Sequence, residues 1–304
     1  MTFRSGFVSV VGRPNVGKST LINAMVGQKV AITSSRPQTT RHTVRGVVNS
    51  DEAQLILVDT PGLHRPRTLL GERLNDEARG TLSEVDVIAL AIPADERIGP
   101  GDRYIAGELA GVRAAQKVVV ITKADRVDRE RLGAALLAAA ALGSDVGLEW
   151  AQIVPVSAVD GENVSLLSQL LVALLPEGPR YFDADLFSDE PQEVMVAELI
   201  REAALEGVRD ELPHSIAVVV EEMALRAGRP DDRPLLDVSA RLFVERDSQK
   251  AIVIGTGGSR LRHVGATARE QIEQLTGYPV YLDLRVKVAK DWQRDPKQLR
   301  RLGF

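Results

Sequence analysis

Gly12-Arg13-Pro14-Asn15-Val16-Gly17-Lys18-Ser19 follows a β-rich run, Phe7–Val11, and leads into a helical stretch from about Lys18 to Met25. The spacing is G-x-x-x-x-G-K-S, and its fixed positions have physical tasks. Gly12 and Gly17 admit backbone conformations that a side chain would forbid, so successive N–H groups can turn toward phosphate oxygens. Lys18 supplies a point charge for the β- and γ-phosphates, and the Ser19 hydroxyl is a magnesium ligand. The following helix presents its positive end to the same anion. Arg13, Pro14, Asn15, Val16 and Thr20 complete the expected nucleotide-binding stretch.

Further segments fit the same chemistry. Leu57-Val58-Asp59-Thr60-Pro61-Gly62 ends an apolar run. This placement brings Asp59 near magnesium and lets the Gly62 N–H sense the γ-phosphate, with Thr60, Pro61 and Leu63 beside them. Thr122-Lys123-Ala124-Asp125 closes another such run. Guanine offers adjacent N1–H and N2–H donors that one carboxylate, Asp125, can accept together, whereas adenine cannot present that pair. The stem of Lys123 would pack on the base. After the last apolar run, Ser157 and Ala158 are small enough for a backbone N–H to approach guanine O6. Gln38-Thr39-Thr40-Arg41 lies where a hydroxyl must reach magnesium, and Thr40 is chosen over Thr39. Lys18, Thr40 and Gly62 are thus the expected catalytic set, and Ser19, Thr40 and Asp59 the Mg2+ set.

At 304 residues the chain is long enough for two domains with cores of their own. It has no cysteine, which excludes disulfides and thiolate metal sites and suits a reducing cytoplasm. No apolar run approaches the roughly 20 residues that a membrane span requires, so a soluble protein without a transmembrane segment is expected. The net charge of −4 is uneven: residues 240–304 hold 13 Lys/Arg against 7 Asp/Glu, leaving 25 against 35 in residues 1–239. A basic segment on an acidic protein suits a polyanion partner.

Apolar runs at Phe7–Val11, Gln54–Val58, Val85–Ile92, Lys117–Ile121 and Ile153–Val156 alternate with helical stretches, which argues for an α/β domain with a mostly parallel sheet flanked by helices. That domain is expected over 1–175, a Pro- and acid-rich linker over 176–192, and a smaller α+β domain over 193–304. The second domain reads as a helix, strands at Ser215–Glu221, Leu235–Glu245 and Lys250–Ile254, an amphipathic helix at Arg260–Leu275 and a last strand at Val280–Val288. Gly255-Thr256-Gly257-Gly258, a G-x-x-G between strand and helix, could clamp a single-stranded sugar-phosphate backbone, with Lys250, Ser259, Arg260 and Arg262 as further contacts. Aromatic content is only 4%, so phosphate contacts and base edges would provide most of the grip. His42 and His64 are expected to face solvent, His214 to sit at a strand entry, and Trp292 to anchor packing.

The ordered motif set resembles the translation-factor-related P-loop GTPases. Within them G-R-P-N-V-G-K-S-T-L-I-N, Q-T-T-R and D-T-P-G-L resemble the Era group, and the tail is similar to the type II K-homology (KH) domain of that group. The resemblance supports Thr40 as the switch ligand. It implies a GTP-binding and GTP-hydrolysing switch that binds the 3′ end of small-subunit (16S) ribosomal RNA and assists maturation of the small ribosomal subunit. It further implies a monomer, with peripheral contact at the inner face of the cell membrane as a property some relatives have. Two departures stand out. Thr122 replaces the Asn whose amide braces the phosphate loop, and Leu63 stands where Ras-like proteins carry a water-orienting Gln; a leucine there is usual in Era-like proteins and signals slow or assisted hydrolysis. Asn15 matches the residue with which related proteins use K+ in the role of an arginine finger. A GTP-dependent RNA-binding scaffold with negligible turnover is the alternative.

Overall fold

The structure, a computed structural model, describes residues 2–33, 41, 43–61, 68–208, 212–230 and 232–304, and only the backbone of 213 and 214. The described chain forms two compact units; the main division falls between Asp189 and Glu190, and Thr68–Leu70 group with the second unit.

The first unit holds strands β1 (Arg4–Val11), β2 (Val44–Asn49), β3 (Ala53–Asp59), β4 (Val87–Pro93), β5 (Gln116–Thr122) and β6 (Gln152–Pro155), with helices α1 (Lys18–Val26), α2 (Leu69–Leu82), α3 (Pro100–Ala110), α4 (Arg129–Val146) and α5 (Val164–Leu174). The sheet order is β2-β3-β1-β4-β5-β6. Among the described residues of this sheet only β2 is antiparallel to its neighbour. Parallel strands with crossover helices are covered on both faces, which is why β4 is buried at every position and reads as an unbroken apolar run. Its side chains still alternate. Val87, Ala89 and Ala91 pack with Leu21 and Ile22 of α1 and Leu167 and Leu171 of α5. Ile88, Leu90 and Ile92 pack with Leu82 of α2, Ile105 and Leu109 of α3 and Leu142 of α4.

Strand β2 is absent from the apolar runs that the sequence displays. Gly46 interrupts it, and a Cβ there would lie 2.8 Å from Cγ2 of Val26 on α1. Close helix-to-strand packing demands the glycine that masks the strand.

The expected linker, 176–192, is a strap on the first unit for most of its length. Ser5 N–H donates to the Pro176 carbonyl and Gly178 N–H to that of Phe3. Buried Gln54 then clamps the chain: its Oε1 accepts from Tyr181 and Phe182 N–H at 2.8 and 2.9 Å, and its Nε2 donates to the Phe182 carbonyl and to Asn49 Oδ1. Beyond the clamp the strap runs antiparallel to β2. Asn49 Nδ2 donates to the Leu186 carbonyl, Val47 N–H to that of Phe187, Gly46 bridges Ser188, and Arg45 pairs with Asp189 at 2.8 Å. Proline and acidic residues mimic a free linker in composition, but backbone groups that find partners are held in place whatever the composition.

The second unit has α6 (Gln192–Leu205), α7 (Leu212–Ser215), β7 (Ala217–Leu225), β8 (Leu236–Val244), α8 (Asp247–Ile254), α9 (Ser259–Thr276), β9 (Val280–Val288) and α10 (Pro296–Arg301). Strands β7 and β8 are antiparallel, β8 and β9 parallel. Val264, Ala268 and Ile272 are the buried stripe of α9, and exposed Leu275 falls outside it. The strand expected at Lys250–Ile254 is instead helix α8. Ile252-Val253-Ile254 favours a strand locally, but Gln249 Oε1 accepts from the N–H groups of Glu245 and Arg246 at 2.9 and 3.0 Å and thereby caps a helix start. Trp292 is fully buried, donates to the Ser215 carbonyl and stacks on Phe304, the anchoring role expected of it.

The Gln54 clamp gives a direct expectation. Gln54→Ala leaves the partly covered strap amides of Tyr181 and Phe182 without their acceptor and costs about 1–2 kcal/mol, read as faster hydrogen exchange at Tyr181 and Phe182 and a lower urea midpoint for the first unit.

Candidate nucleotide site

Because β1, β3, β4, β5 and β6 are mutually parallel, the loops at their C-terminal ends open on one edge of the sheet. The sequence motifs occupy four of those loops: Gly12–Ser19 after β1, Asp59-Thr60-Pro61 after β3, Thr122–Asp125 after β5 and Ser157-Ala158 after β6.

The phosphate loop is tightly determined. Gly12 has φ 154°, and a Cβ on it would stand 2.6 Å from the Ala91 carbonyl oxygen. Asn15 and Gly17 also take positive φ, 65° and 98°, before α1 begins at Lys18. The Lys18 ammonium folds over the loop, donating to the carbonyls of Gly12 and Arg13 at 3.1 Å each. Burial pushes its pKa below the ordinary lysine range, with the charge of Asp59 opposing that shift. Ser19 Oγ donates to Asp59 Oδ2 at 2.7 Å, so a hydroxyl and a fully buried carboxylate face one another from separate elements. Thr60 is likewise buried.

The base loop is joined to the phosphate loop. The Thr122 hydroxyl donates to the Val16 carbonyl at 2.6 Å, between residues 106 apart in sequence. The shorter side chain therefore reaches the loop that an Asn amide would brace. Lys123 takes φ 56°, Ala124 N–H donates to the Val156 carbonyl, and Asp125 is exposed at the mouth. Buried Ser157 accepts from Asp160 N–H at its Oγ, fixing the turn that also holds Ala158.

Thr39, Thr40, Gly62 and Leu63, with His42 and His64, lie outside the described residues, as does the His214 side chain. One set of partners escapes motif reading. Arg13 leans away from the loop, with Nε donating to Asp102 Oδ1 at 2.8 Å and Nη2 to Glu96 Oε2 at 2.9 Å. The signal available in sequence is Gly99-Pro100-Gly101-Asp102, a helix start with an acid in its first turn.

In the second unit, α8 ends at Gly255 and α9 begins after Gly258, with Gly255, Gly257 and Gly258 at φ 72°, 57° and 75°. Cβ atoms on Gly257 or Gly258 would meet nothing within 4 Å, so the turn is open on its outer side. Thr256, Ser259 and Arg262 are exposed and Lys250 half-buried. Arg260 is committed elsewhere: Nη2 donates to the carbonyls of Ala204 and Glu206 at 3.3 and 2.6 Å, at the end of α6. A basic residue just after a glycine turn suggests a phosphate contact, but the orphan carbonyls of a helix end attract the same guanidinium.

Comparison with known proteins agrees with both units. A family described as 50S ribosome-binding GTPase matches residues 7–123, and a KH domain family matches residues 211–293. GTPase Era of Nocardioides sp. is 66% identical over 302 residues, covering 99% of this chain and 96% of that protein. The chain belongs to the GTPase Era family. GTPase Era of Streptomyces coelicolor is also 66% identical, over 301 residues, 99% of this chain and 95% of that protein. A crystal structure of Era in complex with MgGDPNP and nucleotides 1506–1542 of 16S ribosomal RNA superposes with a TM-score of 0.93 at 38% identity, covering 99% of both chains. A single-substitution variant of Aquifex aeolicus Era bound to GDP·AlF4− gives 0.92 at 37% identity over the same shares. As an Era protein the chain is a GTPase, with a P-loop GTPase domain followed by a KH domain.

The Thr122 contact sets a measurable expectation. Thr122→Val leaves the Val16 carbonyl without its donor and weakens GDP and GTP alike by about tenfold, with the preference for guanine retained; titration with fluorescent GDP and GTP analogues checks both parts.

Proposed function

We propose that this GTPase is a monomeric cytoplasmic switch whose GTP state governs how the second unit grips the 3′ end of small-subunit ribosomal RNA during maturation of that subunit. The observation that carries this reading is the pairing, in one chain, of a phosphate loop braced to a guanine loop with an open G-x-x-G turn. An Era relative crystallised with both MgGDPNP and 16S ribosomal RNA nucleotides supports it.

The roles follow from the site. Gly12–Ser19 and Thr20 cradle the phosphates, and Lys18, held poised on two carbonyls, exchanges one of them for phosphate oxygens when GTP binds. Asp125 accepts from the guanine donors, with Lys123 beneath the base and the Ser157-Ala158 backbone at O6. Ser19 and Asp59 are oxygen donors of the kind that suits Mg2+, and their 2.7 Å approach suits a shared cation; Thr40 would be the further ligand. When bound, Mg2+ neutralises charge on the β- and γ-phosphate oxygens. Gly62 senses the γ-phosphate. Leu63 has no polar group to orient the attacking water, so turnover is slow unless assisted, and Asn15, held at positive φ in the phosphate loop, is the residue through which K+ would assist. On the RNA side, Gly257 and Gly258 admit the sugar-phosphate backbone, with Thr256, Ser259, Arg262 and Lys250 around them.

Three measurements test this. Asp125→Asn shifts preference from GTP toward xanthosine triphosphate, and an unchanged preference would contradict the guanine assignment. Turnover in K+ exceeds that in Na+ and the difference disappears in Asn15→Ala; equal rates in all four conditions remove the K+ role. Binding of the 16S 3′ end is tighter in the GTP form than in the GDP form, and RNA binding without any turnover would make the chain a GTP-dependent scaffold instead.

A further inference from the structure

Arg13 is the second residue of the phosphate loop, where a guanidinium could read phosphate, yet its side chain occupies a slot built by other elements. Gly101 forms the floor: a Cβ there would lie 2.7 Å from Arg13 Cδ. Asp102 closes the end. It is fully buried and uses both oxygens, Oδ1 for Arg13 Nε and Oδ2 for Gly99 N–H, each at 2.8 Å. Glu96 takes the second guanidinium donor at the mouth. The same segment reaches the other half of the site. Asp95 lies 3.7 Å from Lys123 and 3.4 Å from Arg126, and its carbonyl accepts from Arg131 Nη2 at 2.7 Å.

We propose that Asp102 is a positioning residue for nucleotide binding: through Arg13 it fixes the carbonyl that holds Lys18, while Asp95, from the same segment between β4 and α3, steadies the guanine loop through Lys123. The geometry is specific. Asp102 and Glu96 both accept from the Arg13 guanidinium and Gly99 N–H holds Asp102 in turn, so their pull on the phosphate loop is transmitted through the Arg13 backbone. A carboxylate is required at 102, because an Asn amide offers one acceptor where two donors converge. Arg suits 13 better than Lys, because its fork meets Asp102 and Glu96 together where a lysine offers a single point charge.

The inference rests on the nucleotide reading of the site, and dissociation of fluorescent GDP and GTP analogues from the full-length chain separates the two. Failure of the unsubstituted chain to bind either analogue would overturn the nucleotide reading. With binding intact, Arg13→Ala and Asp102→Asn each speed dissociation of both analogues by about tenfold or more. The double variant is no faster than the faster single one, since both substitutions break the same Arg13–Asp102 contact. Arg13→Lys, which keeps the charge, recovers part of the loss and also tests the proposal if Asp102→Asn fails to fold. Guanine over xanthine preference stays unchanged throughout. Lowered unfolding temperatures with unaltered dissociation rates would assign the contact to stability alone and overturn the proposal, as would additive effects of the two substitutions.

Discussion

Parallel pairing is the constraint on which the first unit depends. A strand that must run alongside its predecessor in the same direction needs a crossover, the crossover helices cover both faces, and the sheet can then consist of almost continuous aliphatic runs. The same rule gathers every C-terminal strand end on one edge, so residues from Gly12 to Ala158 meet without any long-range motif being needed to bring them together. Apolar packing and site assembly are therefore one event.

Within that frame the phosphate loop is held by several independent ties. Gly12 is pinned against the β4 backbone, Val16 receives the Thr122 hydroxyl, and Arg13 is drawn toward Asp102. Positive φ at Asn15 is conformationally costly for an isolated segment, and persists where surrounding contacts over-determine it. A loop fixed in this way presents its N–H groups already oriented, so little reorganisation is left to the anion that enters.

Much of this was legible in sequence because it is written in short-range terms. Aliphatic runs marked β1, β3, β4, β5 and β6, and spacing marked the phosphate loop and Thr122–Asp125. What stayed hidden depends on distant partners. Gly46 conceals β2 because α1 packs on it, and Gln249 makes Ile252-Val253-Ile254 helical against its local preference. Gln54 turns an acidic, proline-bearing tract into a strap, and the end of α6 claims Arg260. In each case one polar or missing side chain, satisfied from far along the chain, outweighs local propensity.

The strap has a consequence for self-association. Strand β2 ends the sheet, and a terminal strand offers unpaired N–H and C=O groups to any other extended chain. Phe187 and Ser188 occupy part of that row, and exposed Asp183 and Asp185 add negative charge to the strap. A fragment stopped at residue 175 would retain every loop of the nucleotide site and still be a poorer molecule. It would carry an open sheet edge of the kind that seeds dimers and aggregates, so the solubility of the GTPase unit resides in residues that take no part in its chemistry.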